Sequence, residues 1–211
     1  NEKVHGDGFM GALIQQCSFL FKCLHTIHVP AILGQKLKAD YVFRGITMEQ
    51  IRNVRPGDED SLAYVQTESW KAAFREIVPA DILAECTALE STAAIYRRIL
   101  DEGFGNGYLM ELDGKPHCIA WWSVARDANM AGYAELICLH SLQENWRKGY
   151  GRAMMERVLA DVKKAGYEKL VLWVFENNTR AIQFYKSFGF EPSGRRRPAL
   201  GAVEEMYSKP L

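Results

Sequence analysis

Neither sign of charge is in excess in this sequence. Lysine and arginine total 26, aspartate and glutamate also total 26, and the formal net charge over 211 residues is +0. A balanced chain creates no overall field that would attract nucleic acid or an anionic membrane surface. The sequence therefore predicts neither as a partner, and any anion-binding site must be local.

Cysteines are few and lack the spacing of a disulfide framework or a metal site. The sequence has 5 of them, Cys17, Cys23, Cys86, Cys118 and Cys138. Their number is odd, and none belongs to a Cys-x-x-Cys or Cys/His ligand pattern. We therefore expect no bound metal and a reducing, cytoplasmic location.

A long uninterrupted hydrophobic run is also missing. The most apolar stretch, Phe9 to Leu33, is interrupted by Gln15, Lys22, His25 and Pro30. A membrane-spanning helix needs about 20 predominantly apolar residues. The stretch also lacks a basic leader and a cleavage site. The sequence therefore predicts no membrane span and no export signal.

The chain divides by pattern into a short first part and a longer second part. Residues 1–47 contain an apolar segment from Met10 to Thr26 with helical character, followed by a basic connector. A regular alternation of predicted strands and helices begins near Met48. We therefore expect an N-terminal extension of unknown role, 1–47, and one catalytic domain, 48–211. An exposed face as apolar as the first segment would favour association, so a homodimer is one expectation.

The second part reads as an α/β domain. Asp113-Gly114, between two apolar runs, is the strongest hairpin signal in the chain. A strand is predicted at Ala134 to Ser141, a helix at Arg152 to Ala165 and an unbroken apolar strand at Leu170 to Phe175. Together they form a βαβ unit. A helix capped at Asn178 and two final strands complete the predicted domain.

The loop between this first strand and its helix has the composition of an anion site. It reads Trp146-Arg147-Lys148-Gly149-Tyr150-Gly151-Arg152-Ala153. Free N–H groups at a helix start point at an anion, and glycines let phosphate oxygens approach the backbone. A Walker loop is absent, and a dinucleotide fingerprint needs a glycine where Met154 stands. The loop therefore predicts a pyrophosphate site, although a tight turn with solvated cations would leave the same pattern.

At this point the chain resembles the GNAT superfamily of N-acetyltransferases. The family's central motif, Gln/Arg-x-x-Gly-x-Gly/Ala, matches the loop through Gly151, with Trp146 in place of the first side chain. Its second motif appears as Asn178-x-x-Ala181, then Tyr185 and Gly189-Phe190. The resemblance implies an acyl-CoA N-acyltransferase fold, with a mixed central sheet and helices on both faces. It also implies acetyl-CoA as the acyl donor.

The resemblance assigns cofactor contacts along two segments. The pyrophosphate is expected at the loop, and the pantetheine arm at the backbone of the preceding strand, where a family bulge would leave an edge free. Asn178 would contact the same arm in addition to capping its helix. The expected cofactor-binding residues are Leu139, Ser141, Arg147, Lys148, Gly149, Tyr150, Gly151, Arg152, Ala153 and Asn178.

The catalytic expectations concern an acid and a base. Acyl transfer needs a neutral amine and an acid for the departing thiolate. By resemblance Tyr185 is the acid, although packing against Phe184 and Phe188 would also explain it. Glu135 is the expected base, directly or through water, with His140 as the alternative. A plain salt bridge would equally explain Glu135.

The acceptor is expected to be a primary amine, on a small molecule or on a peptide or protein. Substrate choice is expected in the segment Trp70 to Pro79 and in the terminal hairpin, where Glu204 and Glu205 would attract a cation. Trp121 and Trp122 would line the site or belong to the core. Two other functions stay open: a non-catalytic coenzyme A-binding module, and a domain that binds NAD or ATP.

Overall fold

The computed structural model describes residues 42–43, 46–47 and 51–211, which all belong to one compact unit, Ala39–Leu211. Strands β1 (Val42–Phe43) and β2 (Ile46–Thr47) pair antiparallel. The helix predicted from Met10 to Thr26 lies outside the described residues. The division at Met48 therefore stays a prediction.

The remaining elements alternate much as the sequence predicts. The helices are α1 (Glu59–Phe74), α2 (Ala80–Cys86), α3 (Leu89–Asp101), α4 (Tyr150–Lys164) and α5 (Thr179–Ser187). The strands are β3 (Ile51–Asn53), β4 (Asn106–Leu112), β5 (Lys115–Val124), β6 (Tyr133–Ser141), β7 (Lys169–Phe175), β8 (Glu191–Ala199) and β9 (Ala202–Pro210). Short 3₁₀ turns lie at Ala128–Met130 and Gln143–Asn145.

Seven of these strands form one mixed sheet in the order β3-β4-β5-β6-β7-β9-β8. Only β6 and β7 run parallel among its neighbours, and α4 connects them as the predicted βαβ unit. The β4–β5 hairpin turns at Asp113 and Gly114, whose φ angles of 50° and 73° suit a type I′ turn. The α/β prediction is confirmed.

Two neighbouring tryptophans show that helices cover both faces of the sheet. Successive residues of a strand point to opposite faces. Trp121 packs against Tyr96 of α3, with ring centroids 6.0 Å apart, whereas Trp122 joins the core cluster that includes Met154 and Met155 of α4. Trp121 and Trp122 are both buried, so they are core residues rather than parts of a substrate site.

The feature that positions the site is an irregularity in the pairing of β6 with β5. Trp121 pairs with Cys138 but Trp122 pairs with Leu136, so Ile137 is an extra residue and forms a bulge. The parallel pairing with β7 covers only Tyr133 to Leu136. Beyond Leu136, β6 therefore keeps its partner β5 on one side and has no strand partner among the described residues on the other. This bulge is the one that the family resemblance implies.

Candidate active site

The unpaired edge of β6 offers main-chain groups to a ligand. Leu139 and Ser141 lie on this stretch, which pairs with β5 but not with β7. Their side chains are half-buried. The carbonyl oxygen of Ser141 accepts a hydrogen bond from Nε1 of Trp146 at 2.8 Å. A ligand strand that docks here would therefore share the Ser141 carbonyl with the indole.

The loop after β6 has the backbone of a tight turn. Gly149 is the N-cap of α4 and has a φ of 100°, in the region that favours glycine. Arg147 has a φ of 63°, which is uncommon for a residue with a side chain. The first turn of a helix leaves its N–H groups without intrahelical partners. The N–H of Ala153 already donates to Gly149, so the free donors precede Ala153.

Gly151 lies where this turn meets α5 and β6. A Cβ placed on it would lie 3.7 Å from the ring of Phe184 and 3.9 Å from Leu139, which is ordinary contact. Its backbone does not have a positive φ. The fold therefore does not require glycine at position 151, and the approach of a ligand is the remaining physical reason for it.

Several predicted side chains of the loop already have protein contacts. Nζ of Lys148 donates to Oδ1 of Asn145 at 2.6 Å. The Arg152 guanidinium lies over the ring of Phe188 at 4.9 Å and 4.0 Å from Glu156. Tyr150 packs its ring against His117. Despite these contacts, the positive charges of Lys148 and Arg152 lie beside the loop.

Arg180, a residue that the sequence analysis did not select, also borders the loop. Its guanidinium carbon lies 3.2 Å from the centroid of the Trp146 ring, a stacked cation–π geometry. Burial and the nearby charge of Arg147 lower the pKa of Arg180. Arg180 lies inside the second motif, between Asn178 and Ala181, but nothing in the sequence places it beside Trp146.

His117 was also missed, and it lies behind the loop. The side chain is buried, its Nδ1 is 3.4 Å from Nδ2 of Asn145, and its Nε2 is 3.3 Å from the Ser141 hydroxyl. Burial lowers the pKa of His117. A neutral histidine thus supports Asn145, which in turn holds Lys148. A buried histidine in a strand gives no sequence signal of this role.

Asn178 has the local role expected of a helix cap. Its Oδ1 accepts a hydrogen bond from the N–H of Ala181 at 3.2 Å. The side-chain amide nitrogen forms no hydrogen bond with the described residues. The cap therefore leaves a donor for the predicted pantetheine contact.

Tyr185 lies on α5, on the same side of the sheet as the loop. It packs against Phe184 and Phe190, at centroid distances of 5.4 Å and 5.9 Å, and not against Phe188. Its hydroxyl forms no hydrogen bond with the described residues. Burial, with smaller effects from Cys138 and Cys118, raises the pKa of Tyr185 above its usual 10.0. The phenol is therefore fully protonated at neutral pH.

Glu135 is buried in an ion pair. Oε2 accepts from the N–H and Nε of Arg126 at 3.2 Å and 3.0 Å, and Oε1 accepts from Nη2 of the same arginine. Only 4% of its side chain is exposed. Both oxygens are therefore occupied, and a proton transfer to Glu135 requires a rearrangement at Arg126.

His140, the alternative base, is also occupied. Its Nε2 accepts a hydrogen bond from Nε1 of Trp70 at 3.1 Å, so the ring proton lies on Nδ1. Burial lowers the pKa of His140 to about 4. The ring is neutral at physiological pH. Neighbouring Cys138 has its pKa raised by burial, which leaves it an unreactive thiol.

Aromatic side chains of α1 span the gap where β6 and β7 separate. Trp70 touches His140 on β6, Phe74 packs against Trp70 at 5.3 Å, and Phe74 also packs against Phe175 on β7 at 5.1 Å. Glu204 of the terminal hairpin is paired with Arg197, which stacks on Trp173. The predicted acceptor side is thus aromatic, and Glu204 is not available as a free anion.

The described residues contain no group of three or more histidine, cysteine or acidic residues with the geometry of a metal site. None of their helices has the length and apolar character needed to cross a membrane.

Comparison with known proteins gives one consistent result. The family model "Acetyltransferase (GNAT) family" matches residues 70–190. A Bacillus subtilis protein described as the uncharacterized N-acetyltransferase YuaI is 27% identical over 164 residues, which cover 73% of this chain and 91% of the relative. The family match begins inside α1 and includes the loop and the second motif.

Solved structures agree on the fold. The PaiA N-acetyltransferase of Thermoplasma acidophilum, solved in complex with coenzyme A, superposes with a TM-score of 0.66 at 18% identity, over 76% of this chain and 98% of that one. The ribosomal-protein-S18-alanine N-acetyltransferase of Escherichia coli gives 0.56 at 19% identity, over 76% and 92%. At such identities the likeness concerns the fold.

Proposed function

Because this chain belongs to the GNAT family of acetyltransferases, which a family model matches over more than half of its 211 residues, we propose that it transfers an acetyl group from acetyl-CoA to a primary amine by direct attack. The observation that carries the proposal is the edge of β6 beyond Leu136. Leu139 on this edge lies beside Gly151 at the start of α4, and Cys138 on the same edge is close enough to Tyr185 to affect its pKa.

The donor is assigned to the loop and to the free edge. The N–H groups that precede Ala153 would hold the pyrophosphate, with Lys148 and Arg152 as neighbouring cations. Main-chain groups of Leu139 and Ser141, together with the free amide nitrogen of Asn178, would hold the pantetheine arm. This places the thioester near the point where β6 and β7 separate.

The chemistry then needs one proton donor. The amine nitrogen forms a bond to the acetyl carbon, and the bond from that carbon to sulfur breaks. The departing thiolate takes a proton from the Tyr185 hydroxyl, which solvent later restores. As an isolated step this transfer is uphill, because a thiol has a pKa of about 8.5 and a free phenol a pKa of about 10, and burial raises the pKa of Tyr185 further. It therefore needs the Tyr185 hydroxyl close to the departing sulfur, and the proton that solvent returns to the phenolate completes it.

Both candidate bases are engaged in hydrogen bonds with other side chains. Glu135 is the residue that the sequence analysis selects, but both its oxygens accept from Arg126. His140 has one nitrogen occupied by Trp70 and a pKa too low for an efficient base at neutral pH. We therefore propose that Glu135 positions Arg126 and that water carries the amine proton away.

One observation favours a second candidate function, a coenzyme A-binding module without turnover. Both candidate bases are occupied by protein hydrogen bonds. Such a module would bind the donor through the same loop and release no thiol. The presence of thiol release with an added amine separates the two functions.

The test is a turnover screen with a binding control. Acetyl-CoA is incubated with the full chain and with amines, amino acids or peptides, and free thiol is measured. We expect at least one acceptor class to raise thiol release above hydrolysis. Acetyl-CoA should also raise the melting temperature with the logarithm of its concentration, whereas NAD and ATP should not. Equal stabilisation by NAD would contradict the assignment of acetyl-CoA as the donor.

A further inference from the structure

Arg147 and Arg180 differ from the other arginines near the site in having no acidic partner. Neither lies within 4.0 Å of a carboxylate of the described residues, whereas Arg126, Arg152 and Arg197 all do. Arg147 is close enough to Arg180 for its charge to lower the pKa of Arg180. The fold therefore places two like charges together without neutralising them.

Both arginines also occupy positions that disfavour them. Arg180 is in the first turn of α5, where the helix dipole repels a cation. Arg147 has a φ of 63°, in a backbone region that residues other than glycine rarely adopt. Locally unfavourable features that persist together are found most often at functional sites. An anion between the two guanidinium groups would relieve the repulsion.

Trp146 holds Arg180 at the loop, next in sequence to Arg147. Its ring lies 3.2 Å from the Arg180 guanidinium carbon, and its N–H donates to the Ser141 carbonyl at 2.8 Å. The indole therefore connects the end of β6 to the start of α5. At this position the GNAT motif most often carries glutamine or arginine, and this chain has tryptophan.

We propose that Arg147 and Arg180 form a second phosphate site, which takes the 3′-phosphate of coenzyme A. Trp146 holds Arg180 in this site, which is distinct from the N–H groups at the start of α4. This rests on coenzyme A being the donor. A phosphate monoester carries a charge of about −1.5 to −2 at neutral pH and matches two arginines. The pyrophosphate has the loop donors and Lys148, so the monoester is the anion left to neutralise the pair.

The experiment compares coenzyme A with dephospho-coenzyme A, which lacks only the 3′-phosphate. Dissociation constants are measured by calorimetry for the full chain and for Arg180→Gln and Arg147→Gln. The wild type should prefer coenzyme A by about tenfold to a hundredfold, the range for a charge-assisted hydrogen bond. Each substitution should weaken coenzyme A by about tenfold and leave dephospho-coenzyme A unchanged. Arg97→Gln, an exposed arginine paired with Glu59, is the matched control.

The outcomes separate the possible failures. If the variants weaken both ligands equally, the pair holds the pyrophosphate and the proposal is wrong. Equal affinity of the wild type for both ligands would also overturn it. If the wild type binds neither ligand, this proposal fails together with the donor assignment. Melting temperatures without ligand should change little in the two variants, because Arg147→Gln removes a repulsion and Arg180→Gln exchanges the stacking on Trp146 for relief of the same repulsion, and this result distinguishes lost contact from lost fold.

Discussion

The arginines on two sides of the molecule differ in whether they have an acidic partner. The donor-side pair, Arg147 and Arg180, has no carboxylate within reach among the described residues and has mutual repulsion instead. The hairpin-side arginines of β8 each form an ion pair with a different element. These pairs are Arg195–Asp127, Arg196–Glu176 and Arg197–Glu204.

We expect this difference to separate arginines that bind a ligand from arginines that stabilise the fold. On the donor side, an anion would complete the site, so a lost arginine should affect binding rather than folding. On the hairpin side the carboxylates already complete the contacts, so a lost arginine should affect stability rather than binding. On the aromatic acceptor side Glu204 is already paired with Arg197, so Glu205 is the predicted anion left for an acceptor amine.

The largest effect is expected from Gly151→Val, which blocks the donor side without disturbing the other. The Cβ of the new side chain lies at ordinary contact distance from Phe184 and Leu139, and we expect its two methyl groups to crowd the loop backbone where phosphate oxygens would approach. We expect the stabilisation by acetyl-CoA to disappear and the melting temperature without ligand to change little. An unchanged dissociation constant would remove the loop from the site.

Glu135→Gln is expected to have the next largest effect, and on stability. Removal of one partner from a buried ion pair leaves the Arg126 charge uncompensated, at a cost of about 3 kcal/mol in the free energy of unfolding. Urea denaturation measures it. Glu111→Gln is the control, because its pair with Arg52 is more exposed and should contribute about 1 kcal/mol or less. A stable Glu135→Gln protein with turnover lost by about 10²-fold or more would restore Glu135 as the base.

These residues show where sequence reasoning succeeds. The Asp113-Gly114 turn is a local matter of φ preference, and the alternation of strands and helices follows from periodicity, so both were predictable. The resemblance extended this to the fold and to the bulge in β6.

The ion pairs and the arginine stack were not predictable. Arg126 and Glu135 lie 9 positions apart on either side of a turn, and only the register of β5 with β6 brings them together. Arg180 and Trp146 come from different elements, whose contact depends on how α5 packs over the end of β6. Sequence patterns report spacing along one element, whereas these contacts depend on the placement of two.

A pH titration of stability extends the comparison to the acceptor side. The pKa of His140 is about 4 in the folded chain, below its ordinary value of 6.5. The unfolded chain therefore binds a proton first, and the stability that neutral His140 contributes is lost as pH falls from 6.5 toward 4. His140→Gln, which keeps an acceptor for Trp70, should flatten this decline in urea midpoints. His117 contributes to the remaining slope, because burial lowers its pKa too. An identical slope in both proteins would contradict a buried neutral His140.

The smallest effect is expected from Arg197→Gln on the hairpin side. The variant loses the pair with Glu204 and the stacking on Trp173, at 4.1 Å from the ring centroid. The free energy of unfolding should fall by about 1 kcal/mol. Affinity for coenzyme A, and its preference over the dephosphorylated form, should stay as in the wild type. A weaker coenzyme A complex would show that the two groups of arginines are not separate in function.

The central claim, acetyl transfer from coenzyme A with Tyr185 as the acid, is tested most directly by single-turnover kinetics of wild type and Tyr185→Phe with a saturating amine. The ring packing against Phe184 and Phe190 survives the substitution, so acetyl-CoA affinity should be nearly unchanged. The rate of acetyl transfer should fall by about 10²-fold, the lower end of the range for a positioned acid. A rate within about twofold of wild type would contradict the assignment and leave Tyr185 a packing residue.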